Sequence, residues 1–355
     1  MKKNKITPYK VISVILLCVV AFTFVFPFYW IVTGAFKSQS VAIAMPPQWF
    51  PTEPTMANFE KLFKNPAWQW MSNTVLIALG SMLLVCGTAS LCGYALAKKR
   101  FYGQSIVFGL IVCAMALPKQ VVLVPLVRMM ANLRLRWMYY AIAVAVAIVL
   151  VMAVVSAVKN RCDWLPSRAR AEWKAKDYLF RALAVLVAVL AVAYLVSLPG
   201  LISGTPEKTP MTNTLWAVIL PTVGWPFGVF LMKQFSETIP NEILEAARID
   251  GAGELNTFLT VVCPIIKPGF GALAIFTFIN TWNDYFLQLI MLQSRENLTI
   301  SLGISTLQAE FATNYGLLMA GAALGAVPIV TIFLIFQKFF TQGITMGAEK
   351  TSGKI

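Results

Sequence analysis

Eight stretches of this sequence are long and apolar enough to cross a bilayer, and they restrict the fold more than any other feature. They cover residues 11–34, 71–97, 105–127, 137–158, 178–202, 214–235, 269–292 and 316–340. A spanning helix needs about 20 mainly apolar residues. In lipid every backbone polar group must find its partner within the protein, so runs of this length specify helices. The composition agrees: 58% of residues are hydrophobic and 12% charged, against roughly 25% charged in soluble domains. The chain therefore reads as an all-α membrane protein with eight spans. The third stretch contains Pro118, Lys119 and Pro125 and is expected to be kinked or broken.

The formal charge of +14 does not point to nucleic acid. The basic residues form short clusters between the apolar runs, which is how membrane proteins mark the cytoplasmic side. With the N-terminus inside, 20 of the 29 Lys and Arg fall on inner segments and 9 on outer or outer-half positions. Both termini are then cytoplasmic. Lys2, Lys3, Lys5 and Lys10 precede the first run in the manner of a signal peptide. That run is too long for one and lacks a small-x-small cleavage site, so it is expected to remain as a membrane helix.

Histidine is absent, which excludes histidine metal sites and histidine general bases. The six cysteines, Cys18, Cys86, Cys92, Cys113, Cys162 and Cys263, form no CxxC pair and read as small buried residues. No catalytic residue and no metal site is expected. Residues 37–70, which hold Pro46, Pro47, Pro51, Pro54 and several aromatics, and residues 293–315 form sizeable outer segments. Ala89 and Gly93, beside Gly80 and Gly87, make a small-xxx-small surface suited to close helix packing.

A long inner segment, residues 236–268, separates the sixth and seventh runs. Pro240 suits a helix start, Glu242 and Glu245 favour its positive end, and Gly251 suits a stop, so residues 240–250 are expected to form a short helix. A second helix from about Glu254 would carry Leu255, Phe258, Leu259 and Val262 on one apolar face, before Pro264 and Pro268 end or bend it. Small Ala246 and Ala247 allow another surface to approach closely. With Glu242, Glu245 and Asp250 against Arg248 alone, the first helix lacks the basic face of a lipid-surface helix and is better suited to docking a protein.

Glu245-Ala246-Ala247-x-x-Asp250-Gly251-Ala252, followed by Pro264 and Pro268, resembles the EAA loop of binding-protein-dependent ABC importers. The resemblance extends to the second-permease type of the carbohydrate-uptake branch through Phe26-Pro27-Phe28-Tyr29-Trp30, Leu117-Pro118-Lys119-Gln120-Val121, Asn213-Thr214-Leu215-Trp216, Pro226-Phe227-Gly228, Trp282-Asn283-Asp284-Tyr285 and Gln337-Lys338-Phe339-Phe340. It implies a non-catalytic permease subunit of the bacterial cytoplasmic membrane. Its partners would be a second permease, two ATP-binding subunits or domains and an extracytoplasmic solute-binding protein. ATP and Mg would be used by the ATPase, with no cofactor on this chain. Glu245, Ala246, Ala247, Asp250 and Gly251 would carry the contact that couples ATPase closure to alternating access.

The family pattern breaks after Leu135 and resumes near Asn213. Without residues 136–212 the chain has 278 residues and resembles a six-span type I importer permease. The expected organisation is thus an N-terminal core part, 1–135, an inserted two-helix transmembrane hairpin, 136–212, and a C-terminal core part, 213–355. Peripheral ballast, a contact for another subunit and an engineered addition are all open readings of the insertion.

Asp284 falls inside the seventh run, roughly 20 Å from its inner end at 1.5 Å per residue. An ionisable group at that depth usually faces a cavity, and Trp282, Asn283, Asp284 and Tyr285 could then line a sugar path. A span that ends early, leaving Asp284 near the interface, is the other reading, and Lys119 poses the same question. The tail from Gly347 has the wrong spacing for a Walker A loop, so ATP hydrolysis would need another chain. A stand-alone secondary transporter or channel is the alternative class. It would favour several carboxylates in spans and a duplicated pattern, whereas Asp284 is the one candidate and no clear repeat is present.

Overall fold

The computed structural model describes residues 8–133, 210–310 and 314–352, and every extended element among them is a helix. Two compact units divide the chain, residues 1–123 with 213–355, and residues 124–212. In the second, Met130 and Met211 are buried and the Met211 N–H donates to the Leu133 carbonyl at 2.9 Å. The expected spans 137–158 and 178–202 lie outside the described residues.

The helices in chain order are α1 (Pro8–Ala35), α2 (Gln39–Ala42), α3 (Ala57–Phe63), α4 (Ala67–Lys98), α5 (Gln104–Met115), α6 (Lys119–Asn132), α7 (Leu215–Val223), α8 (Pro226–Glu237), α9 (Asn241–Ile249), α10 (Glu254–Thr257), α11 (Cys263–Ile265), α12 (Lys267–Trp282), α13 (Tyr285–Met291), α14 (Ile300–Glu310) and α15 (Tyr315–Ser352). The centre of the first unit is α4, which packs against α7, α8 and α12. Its small residues set those crossings. A Cβ on Gly93 would lie 2.6 Å from the Lys233 backbone nitrogen, and Ala89 abuts Gly228. The small-xxx-small pair is therefore a helix contact, as its sequence suggested. Gly87 faces open space and plays no such part.

Three helices are long and apolar enough to cross a membrane, Tyr9–Ala35, Ala67–Lys98 and Tyr315–Gln337; three bent pairs raise the number to six among the described residues. The expected count of eight is thus not reached there. The third run is broken as expected, between Met115 and Lys119. The sixth run, expected to be continuous, bends by 43° between α7 and α8. Trp225 precedes Pro226 and is extended, with φ −64° and ψ 111°, because the proline ring excludes a helical residue before it. The seventh run also differs. Its helix begins at Lys267, ends at Trp282, and a separate short helix starts at Tyr285.

The segments expected on the outer side are ordered by specific bonds. Tyr29 donates to the Trp49 carbonyl at 2.7 Å, and buried Asn58 donates to the carbonyls of Ala35 and Lys37, each at 2.8 Å. In the second of them, the Trp70 indole donates to the Arg295 carbonyl at 2.7 Å. Asn73 donates to the carbonyls of Glu296 and Leu298 at 2.7 and 3.0 Å, and Thr74 accepts from the Ile300 N–H at 2.9 Å. The N-terminal end of α4 thereby fixes residues 295–300.

Cys162 lies outside the described residues, and the five described cysteines depart from expectation. Cys18, Cys92 and Cys113 are exposed and Cys86 and Cys263 half-buried, all as free thiols. An apolar helix in a membrane has lipid as solvent on its outer face, so an apolar neighbourhood in sequence does not imply burial in protein.

Candidate functional site: the loop around α9 and the polar break after α12

α9 is assembled from strong local signals. Pro240 caps it with φ −60° and ψ 140°, Glu242 lies in its first turn, and Arg248 in its last. Its end is a Schellman motif. Gly251 adopts φ +78°, the Ala252 N–H donates to the Ala247 carbonyl at 2.9 Å, and the Gly251 N–H donates to Arg248 at 3.0 Å. The left-handed conformation suits glycine and frees the chain to reverse while satisfying two terminal carbonyls. The structure thus bears out the short helix and its stop.

One side of α9 is anchored and the other is free. Leu244 and Ala247 are buried, and Leu244 joins the apolar cluster that contains Tyr94, Phe235, Phe258 and Val262. Glu242, Glu245, Ala246, Arg248 and Asp250 are exposed, and Ile249 is 85% exposed. Of the five expected contact residues, Glu245, Ala246, Asp250 and Gly251 lie on the surface, whereas Ala247 packs inward.

The segment after Glu254 departs from the expected single apolar face. Phe258–Val262 is a π-helical stretch between α10 and α11. Its wider turn separates two stripes: Phe258 and Val262 are buried, and Leu255 and Leu259 are exposed. Residues that share a face in a 3.6-residue period no longer do so across a π insertion.

Two lysines at the C-terminal end of α4 hold this loop. Lys98 Nζ donates to the Ile239 carbonyl at 2.6 Å, to Asn241 Oδ1 at 3.2 Å and to the Glu237 carbonyl at 3.5 Å. It satisfies carbonyls at the C-terminus of α8, where cations are favoured, and reaches the first residue of α9. Lys99 forms an ion pair with Glu254, which Arg248 also approaches at 3.7 Å. The Lys99 hydrogen bond and the two positive charges hold the Glu254 carboxyl below the usual carboxylate range, against a smaller opposing effect of burial. The sequence marked these lysines only as charges of the inner side. Their role depends on residues more than 130 positions away, and no local pattern encodes it.

Further along, two helix breaks bring polar groups together. Lys119, the first residue of α6, lies 3.2 Å from Asn280 Oδ1 and 3.6 Å from Asp284 Oδ2. Asp284 caps α13 by accepting from the Leu287 N–H at 3.4 Å, and the Asn283 amide donates to the Ile279 carbonyl at 2.9 Å. Such local side-chain bonds compete with the helix ladder and end α12 there. Asp284 is therefore at a break rather than within a continuous helix. Trp282 is 3% exposed and stacks on Phe278 at 5.3 Å, which removes it from any open surface. Asn283 is exposed and Tyr285 half-buried. Asn280 was not anticipated; the break after Trp282 and its contact with Lys119 bring it to the same place as Asp284.

Residues 177–346 match the family described as binding-protein-dependent transport system inner membrane component. The match begins upstream of Asn213. The chain is 26% identical over 335 residues to the arabinooligosaccharides transport system permease protein AraQ of Halalkalibacterium halodurans, covering 93% of each chain. It is 27% identical over 348 residues to the maltodextrin transport system permease protein MdxG of Bacillus subtilis, covering 96% of each. Similarity to the melibiose/raffinose/stachyose import permease protein MelC of Bacillus subtilis reaches 34% over 184 residues, 51% of this chain and 66% of the relative. In fold, the chain is similar to a chain of a bacterial ABC transporter involved in import of the acidic polysaccharide alginate, with TM-score 0.62, 14% identity, and coverage of 94% and 96%.

Proposed function

We propose that this chain, which belongs to the family of binding-protein-dependent transport system inner-membrane components, is the permease subunit that couples ATP hydrolysis to uptake of a sugar or oligosaccharide. The substrate class rests on the names of the permease relatives. The coupling rests on α9. That helix is held on one side by Leu244 and Ala247 and presents Glu245, Ala246 and Asp250 on the other. A helix supported in this way can receive force from a partner without separating from the chain. Its free side is mixed in charge, which favours a protein surface over anionic lipid.

In this reading residues 236–268 and both termini face the cytoplasm, a second permease completes the pathway, and a solute-binding protein delivers substrate outside. ATP and Mg belong to the two ATP-binding subunits. Lys119, Asn280, Asn283, Asp284 and Tyr285 line part of the substrate path, where a carboxylate, an ammonium and two amides can bond to hydroxyl groups. Trp282 acts behind them through its stack on Phe278.

Pull-down of the chain from native membranes tests the coupling. A Walker-A ATPase is expected with the wild-type chain and absent with Glu245→Arg. Transport by this chain alone in proteoliposomes would instead establish the stand-alone transporter.

A further inference from the structure

We propose that Lys98 and Lys99 are positioning residues that clamp the docking loop to α4, and that α4 carries movement of the loop to residues 295–300 at the outer face. This rests on the permease reading above. Three observations support it.

The first is the clamp. Lys98 spans the joint between α8 and α9, donating to Glu237, Ile239 and Asn241, while Lys99 holds Glu254 at the start of α10. The two consecutive lysines thus grip the loop on both sides of α9. Leu244 and Phe258 add apolar contacts in the same cluster as Tyr94, which lies 5.4 Å from the Phe258 ring.

The second is the stiffness of α4. It runs unbroken for 32 residues without proline, about 48 Å at 1.5 Å per residue. The paths through α5/α6, α7/α8 and α12/α13 are all interrupted. A continuous hydrogen-bonded helix transmits displacement along its axis, whereas a broken one absorbs it at the hinge.

The third is the outer end. Trp70, Asn73 and Thr74 bond directly to the backbone of Arg295, Glu296, Leu298 and Ile300. Movement at Lys98 therefore has a bonded route to that segment.

The test uses the assembled complex with its ATPase, native cysteines replaced, and Glu296→Cys as an exposed reporter. Maleimide reactivity at this position is compared with and without Mg-ATP and vanadate. The parent is expected to change its labelling rate at least fivefold. Lys98→Met and Lys99→Glu should each lose most of that change, Lys98→Arg should keep it, and the swap Lys99→Glu/Glu254→Lys should restore more than half. Single variants that respond like the parent, a swap that restores nothing, or a parent reporter silent to nucleotide would overturn the proposal. Should a single variant fail to assemble, the swap decides by the same criterion. A parent chain that purifies without any ATPase would contradict the permease reading itself, which separates the two failures.

Discussion

Gly93 crosses α8 so closely that a Cβ in its place would sit 2.6 Å from the backbone nitrogen of Lys233 and 2.7 Å from the carbonyl carbon of Met232. Backbone atoms cannot yield as a flexible side chain does. Gly93→Ala is therefore expected to push α4 and α8 apart and destabilise the protein by about 1–3 kcal/mol, the usual range for overpacking. Gly87→Ala, on the same helix but facing open space, should be neutral or stabilising by up to about 1 kcal/mol. Thermal unfolding in detergent distinguishes the two.

Gly251 ends α9 with φ +78°, while Gly253 has φ −68°. Alanine at Gly251 must adopt the left-handed conformation at a cost of about 1–2 kcal/mol, and alanine at Gly253 need not. Gly251→Ala is expected to weaken ATPase association several-fold in a binding titration, and Gly253→Ala to leave it unchanged.

These two features were legible in the sequence because their causes are local. A glycine at a helix stop and small residues four apart carry their meaning within one or two turns. The breaks were harder to read. Pro226 lay within a run read as continuous, and the polar residues ending α12 lay inside an apolar stretch. The π-helical turn at Phe258–Val262 left no mark in the hydrophobic pattern. The Lys98 clamp joins residues distant in sequence, so only the folded chain reveals it.

Asp284 has two partners, the Leu287 N–H that it caps and the Lys119 ammonium. Asp284→Asn keeps an acceptor for the cap and removes the charge. Asp284→Ala removes both and adds a loss of about 1 kcal/mol typical of a missing cap. The Lys119 side chain is 54% exposed, so the ion pair itself contributes at most about 1 kcal/mol. Transport is expected to fall at least tenfold in both variants with unfolding temperature lowered only in Asp284→Ala. Full transport by Asp284→Asn would remove the carboxylate from the substrate path.

Asn73 is buried and donates to the carbonyls of Glu296 and Leu298. Asn73→Ala leaves both without that donor and is expected to cost about 1–3 kcal/mol. Hydrogen exchange should show faster exchange confined to residues 293–300 and the adjoining turn of α4. Uniform loss of protection would instead mean that Asn73 supports the whole unit.

The central claim is that the exposed side of α9 docks an ATPase. A single cysteine at Ala246, with the native cysteines replaced, tests it most directly through a short bifunctional maleimide in native membranes. The account predicts one crosslinked species containing this chain and a Walker-A ATPase, identified by mass spectrometry and abolished by Glu245→Arg. A complex that transports and hydrolyses ATP while Ala246→Cys reaches no ATPase would contradict it.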